Sequence, residues 1–191
     1  MKTKLENKEK LKKEILSNSI KYFKKYGKDG APVDKLMAEV GATSGALYSH
    51  FLGKDDLFIQ SIEEDMKRLI DKWTGVVTDN PNKGLKKIVN FYLSEKHVRS
   101  PEIGCLMVAL SSDLYRLDCK KRVSIELGIE KLIEAVASGL LQGSKKERKE
   151  QARFILSTMV GAISICRIIY PGKPVKEFLR SAKKSISAIL K

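Results

Sequence analysis

Histidine and cysteine are scarce in this chain, with two and three copies among 191 residues. No Cys or His group has metal-ligand spacing. There is no H-E-x-x-H and no P-loop, so catalysis finds little support. No cofactor and no metal are implied. The odd cysteine count, Cys105, Cys119 and Cys166, builds no disulfide framework. No apolar run opens the N-terminus MKTKLENKEK, so a reducing cytoplasm is the expected setting. Prolines number five, and no stretch alternates polar and apolar residues over any length, which points to an all-helical chain. Long hydrophobic runs are also missing. The most apolar stretch, 154–170, is interrupted by Ser157, Thr158, Ser164 and Arg167. It falls short of a membrane span and reads as a buried or interface helix, with no membrane partner.

Positive charge is abundant. Lysine and arginine total 37 against 23 acidic residues, a net charge of +14. Such an excess suits a polyanionic partner, while solubility alone is the plainer explanation. Residues 1–28 hold ten lysines against three glutamates. The excess continues beyond residue 60, so charge alone does not locate a binding face.

The most informative stretch is 33–51, VDKLMAEVGATSGALYSHF. Val33, Leu36, Met37 and Val40 form one apolar stripe at helical spacing, and Gly41 follows as a stop. Thr43 offers an N-cap hydroxyl for a second short helix over 44–51. Leu47 and Phe51, four apart, face inward. Ser44, Ala46, Ser49 and His50 are left outside, with Tyr48 at the edge. A short helix with small outward side chains enters a DNA major groove without clashing, and the pair reads as a helix-turn-helix.

The run G-A-T-S-G-A-L-Y-S-H-F at 41–51, followed by G-K-D-D-L-F, resembles the signature of the TetR family of bacterial transcription regulators. Gly41, Thr43, Gly45, Leu47, Tyr48, His50, Phe51, Lys54 and Leu57 match it in register. Segments 104–113 and 161–167 resemble weaker signatures of one branch of that family. The resemblance implies an all-α chain of about nine helices. A three-helix DNA-binding domain would occupy 1–53, and an effector-binding and dimerisation domain 54–191. It further implies a cytoplasmic homodimeric repressor on a palindromic operator, released by a small-molecule inducer, and not an enzyme. Two other readings stay open: an effector-independent basic DNA binder, and a helical protein-interaction module that has lost DNA binding. The sequence departs from the family at Pro32, where a capping serine or threonine is usual. One backbone anchor fewer is expected.

Periodicity and breakers place helices at 8–26, 33–40, 44–51, 55–77, 83–97, 103–117, 119–141, 145–169 and 175–190. DNA contact is expected from Thr43, Ser44, Gly45, Ala46, Tyr48, Ser49, His50 and Lys54. Ser44 and Ala46 are small enough to approach base edges. Tyr48, His50, Thr43 and Lys54 match family positions that mostly hold the backbone. One such unit reads only a few base pairs, so two per assembly are required. The last two helices carry more apolar surface than one packing face needs. Phe154, Met159, Ala162, Ile163, Cys166, Phe178, Leu179, Ala182 and Ile186 are the expected dimer interface, against the alternative of plain intramolecular packing. An effector pocket is expected among Trp73, Phe91, Tyr92, Met107, Leu110, Leu114 and Tyr115. Cys105 is a candidate redox thiol at a helix start, although a small buried hydrophobe is the commoner fate of such a residue.

Overall fold

Ile15, Leu16, Ile20 and Phe23 bury one side of α1 (Lys2–Tyr26), and that stripe seats the N-terminal helices. The computed structural model of the chain describes residues 2–190, with side chains from residue 6. Ten α-helices and one 3-10 turn follow in order, with no strand among the described residues. α2 (Val33–Ala38) and α3 (Ser44–Leu47) are short, and α4 (Lys54–Asp79) is the longest. Then come α5 (Gly84–Tyr92), α6 (Glu95–Arg99), a 3-10 turn (Pro101–Ile103) and α7 (Leu106–Tyr115). α8 (Cys119–Ser138), α9 (Lys145–Ile168) and α10 (Lys173–Ile189) complete the chain.

The all-α expectation holds, with one helix more than expected. The 83–97 segment is two helices because Leu93 leaves helical geometry and Ser94 starts α6 afresh. The Ser94 hydroxyl accepts the His97 N–H at 3.2 Å. Such a cap satisfies one of the donors that a helix start leaves unpaired. α9 starts with a capping box at Ser144. The Ser144 hydroxyl accepts from the Glu147 N–H, and the Glu147 carboxylate accepts from the Ser144 N–H at 2.7 Å.

Two apolar cores lie along α4, whose 26 residues span about 39 Å. The first joins α1, α2 and α3 to the start of α4, and adds Leu106, Leu110, Leu114 and Leu117 from the α7 region. Phe23 and Phe58 meet there edge to face, with centroids 5.0 Å apart. Burying each ring contributes about 2–3 kcal/mol. The second core joins the far half of α4 to α5, α8, α9 and α10 around Leu93, Leu132, Ile155, Met159 and Ile186. The α1–α2 loop is also tied to the body. The Lys28 ammonium lies 2.7 Å from Asp55 of α4, and the Lys28 backbone N–H donates to Asp113 of α7 at 3.4 Å.

Tyr26, Val123 and Leu127 are apolar yet exposed. α8 turns Ile125, Gly128 and Leu132 toward α4 instead, because Gly128 leaves room for Met66. A Cβ at Gly128 would stand 2.7 Å from Met66 Cγ. α9 is long and apolar enough to cross a membrane by length and composition, contrary to the sequence expectation. In the fold its Ile155, Met159 and Ile163 wall the second core.

The expected dimer residues divide sharply. Met159, Ala162, Ile163, Cys166, Leu179, Ala182 and Ile186 are all buried within the chain, where α9 and α10 pack on each other and on the second core. Intramolecular packing therefore claims them. Only Phe154 and Phe178 of that set stand out to solvent.

Candidate nucleic-acid interface and interior cleft

Gly41 adopts φ +66°, which a residue with a Cβ enters only at a steric cost. It turns the chain sharply after α2. The Ala42 N–H then closes on the Met37 carbonyl at 3.0 Å. α2 and α3 are also stitched by the Ser44 hydroxyl, which donates to the Asp34 carboxylate. Leu47 and Phe51 anchor α3 from beneath, at 0% and 3% exposure.

The regular part of α3 is shorter than expected. Beyond Leu47 the chain continues in turns, with Ser49 and His50 N–H groups donating to Ala46 and Leu47 carbonyls three residues back. Thr43 stands at the N-cap, yet its hydroxyl makes no capping bond and remains exposed. Gly45, Tyr48 and Ser49 are exposed as well, with Tyr48 at 70%. Ala46 corrects the outward assignment, since it is half-buried against the first core. Ser44 is half-buried toward Asp34. Pro32 precedes α2 with φ −63° and offers no side-chain cap, as the sequence implies.

His50 and Lys54 border this surface and are half-buried. Burial is the chief cause that lowers the His50 pKa, aided by Lys8 and Lys12. Those lysines and Ser49 form a shallow basic hollow with His50, and Glu9 is its one acid. The Lys12 ammonium lies 5.3 Å from the Phe51 ring centroid. Lys54 begins α4, where unpaired N–H groups and an ammonium together suit a phosphate.

A second feature lies at the root of α1. A cleft of about 280 Å³ opens between α1, α4, α5, α6 and the start of α7. Trp73, Phe91 and Tyr92 line it, as expected for an effector pocket. Trp73 and Tyr92 meet edge to face with centroids 6.1 Å apart. Four expected lining residues lie elsewhere. Leu110 and Leu114 are buried in the first core. Met107 is half-buried between the two cores. Tyr115 is 77% exposed beneath the Arg122 guanidinium. The cause is the late start of α7 at Leu106, which points that helix away from the cleft after one residue.

His97 organises the inner end of the cleft, and no sequence signal singled it out. Its Nδ1 donates to the Tyr92 carbonyl at 2.7 Å, and its Nε2 accepts the Cys105 N–H at 3.0 Å. An acceptor at Nε2 makes the ring neutral. Burial lowers its pKa, opposed by the Tyr92 carbonyl and aided by Arg167 and Lys24. Arg167 of α9 donates to the Val98 and His97 carbonyls, both at 3.3 Å. Gly104 permits this convergence, because a Cβ there would stand 2.6 Å from the Arg167 guanidinium. Cys105 is buried beside Tyr92, whose phenol pKa is raised well above its usual value, chiefly by desolvation.

Lys24, Asp65, Arg68 and Lys72 also line the cleft and were missed. Lys24 carried a readable signal: it falls four residues after Ile20, which puts a charge on the apolar stripe of α1.

Residues 15–60 match the family model described as bacterial regulatory proteins, tetR family. The chain is 40% identical over 60 residues to the HTH-type transcriptional repressor AcnR of Corynebacterium jeikeium, spanning 31% of this chain and 32% of that protein. Against AcnR of Corynebacterium diphtheriae it is 33% identical over 88 residues, spanning 45% and 43%. Each match thus covers less than half of these curated relatives. Among solved structures, the reduced form of E. coli NemR superposes with a TM-score of 0.77 at 17% identity, covering 94% of this chain and 96% of that one. A TetR-family regulator from Cytophaga hutchinsonii gives 0.77 at 15% identity, with 96% of each chain covered. At such identities the likeness is one of fold.

Proposed function

We propose, on the premise that this chain belongs to the TetR family of DNA-binding regulators, that it is a cytoplasmic transcriptional repressor acting on a palindromic operator as a homodimer. The observation that carries the reading is the outer surface of α3. Thr43, Gly45, Tyr48 and Ser49 are exposed there, the Ser49 hydroxyl donating to the Ala46 carbonyl, while Leu47 and Phe51 hold the helix from below. Ser44 and Ala46 flank it, and His50 and Lys54 border it as phosphate contacts. Small side chains fit a major groove, and the bordering Lys54 ammonium neutralises a phosphate. Residues 1–53 form the DNA-reading unit, and residues 54–191 hold the effector and dimer surfaces.

Dimerisation through α9 and α10 is supported by their outward faces. Phe154, Thr158, Gly161, Ile165 and Ile168 follow one another at steps of four and three along α9, opposite its buried side. Phe154, Ile165, Ile168 and, on α10, Phe178 are exposed apolar groups. Gly161 has open space above it, so a second helix can approach closely there. The cleft beside Trp73 is the effector site, and its occupation releases the operator. An effector acts by binding the release-competent conformation more tightly than the DNA-bound one. Cys105 is assigned no redox role, being enclosed beside Tyr92.

A gel shift on DNA upstream of the chain's own gene, with and without competitor, tests the reading. Retention of one band under competitor is the expected result. Binding that competitor removes entirely indicates a general basic binder, and no binding at any salt indicates an interaction module.

A further inference from the structure

Cations dominate the polar rim of the cleft. Lys24, Arg68 and Lys72 line it against one carboxylate, Asp65. Arg68 is partly occupied by Glu64, 3.1 Å away, while Lys72 lies over the Phe91 ring at 5.1 Å from its centroid. Below the rim the walls are Trp73, Tyr92 and Leu106, an apolar and largely aromatic floor. The Tyr92 hydroxyl is buried with the Cys105 thiol as its polar neighbour and makes no well-formed hydrogen bond. Buried polar groups are nearly always paired, and a thiol is only a weak partner, so this phenol at the cleft leaves a donor for a ligand atom. A phenol donates well to a carboxylate oxygen.

We propose that this cleft takes an organic carboxylate with an aromatic body, and that its acid group competes with Asp65 for Lys24. This rests on the reading of the chain as an effector-responsive regulator. The ring lies on the Trp73–Tyr92 floor, and the carboxylate meets Lys24, Arg68, Lys72 and the Tyr92 hydroxyl. An organic cation would meet three positive groups there and gain one partner. Lys24 belongs to α1 and Asp65 to α4, 2.6 Å apart. A ligand that draws Lys24 away loosens the tie between the DNA-reading unit and the long helix, which gives ligand binding a mechanical consequence at α3.

Trp73 is the single tryptophan, so its emission reports occupancy of this cleft without any DNA. The full chain is titrated with 4-phenylbutyrate, 4-phenylbutanamide and 4-phenylbutylamine, a matched anion, neutral amide and cation. The acid is expected to shift Trp73 emission with a Kd about tenfold or more below that of the amide, and the amine to bind weakest. The double variant Arg68→Gln, Lys72→Gln is expected to cut the acid's advantage over the amide severalfold, Lys24 and Tyr92 remaining, at an unchanged melting temperature. Tyr92→Phe is expected to weaken the acid severalfold and leave the amide less affected. Equal or tighter binding of the amide or the amine overturns the proposal, as does an unchanged emission with all three at millimolar concentration. If the acid binds as expected but leaves the operator complex intact, the ligand class stands and the regulatory reading falls.

Discussion

The Lys24 ammonium lies 2.6 Å from the Asp65 carboxylate, with the lysine side chain only 4% exposed and the aspartate 22%. This pair joins the first helix to the longest one at the edge of the cleft. Removing one partner of a buried pair strands the other charge and costs about 3–5 kcal/mol when burial is complete. The partial exposure of Asp65 reduces this, so Asp65→Asn is expected to lower stability by about 2 kcal/mol. The double change Lys24→Met, Asp65→Leu leaves no stranded charge and is expected to recover most of it. Urea melts of the three proteins read the difference directly.

Stability is expected to fall as pH drops below about 6.5, the ordinary histidine value. The folded pKa of His97 is lowered by burial, and Lys24 and Arg167 push the same way. The unfolded chain therefore binds the proton more readily, and stability rises with pH across the window between the folded and unfolded values. His50 is shifted downward as well and contributes with the same sign. His97→Gln is expected to lower stability at pH 7.5 and to flatten its decline toward pH 5.5, as followed by thermal melts at each pH.

Tyr48 is 70% exposed and supports no core contact. Tyr48→Ala is therefore expected to leave the melting temperature unchanged while weakening operator binding about tenfold, the loss of one well-placed contact. Fluorescence anisotropy on labelled operator measures the second effect. An unaltered affinity would remove Tyr48 from the interface.

Two positions on different faces of α9 separate packing from dimerisation. Met159 is fully buried, so Met159→Ala is expected to cost about 2–5 kcal/mol of stability through the cavity it leaves. Ile165 is 41% exposed on the outward stripe. Ile165→Lys is expected to keep the fold and to give single chains in light scattering, because the symmetry of a dimer brings the new charge near its own copy.

Much of the fold was legible because its signals are local. Gly41, Leu47 and Phe51 announced the turn and the anchors of α3, and the start of α9 at residue 145 was placed correctly. Ser94 carried the same kind of signal and was passed over, because apolar spacing ran on through Val89 and Leu93. The facing of α8, α9 and α10 was less legible. Each bears apolar residues on two sides, and periodicity does not say which side meets the chain's own core. Met159 was assigned to the dimer interface for that reason. Half of the cleft was hidden more deeply. Trp73, Phe91 and Tyr92 advertise themselves as aromatics, but Lys24, Asp65 and Arg68 read as solvated charges until α1 and α4 are set side by side.

Hydroxyl-radical footprinting of the upstream DNA at increasing protein concentration tests the central claim most directly. Two protected patches related by a dyad are expected, centred about 34–36 Å apart or a multiple of that, appearing together at two chains per site. A single patch, or uniform protection that fades with salt and shows no repeat, would contradict a paired reading of duplex DNA by α3.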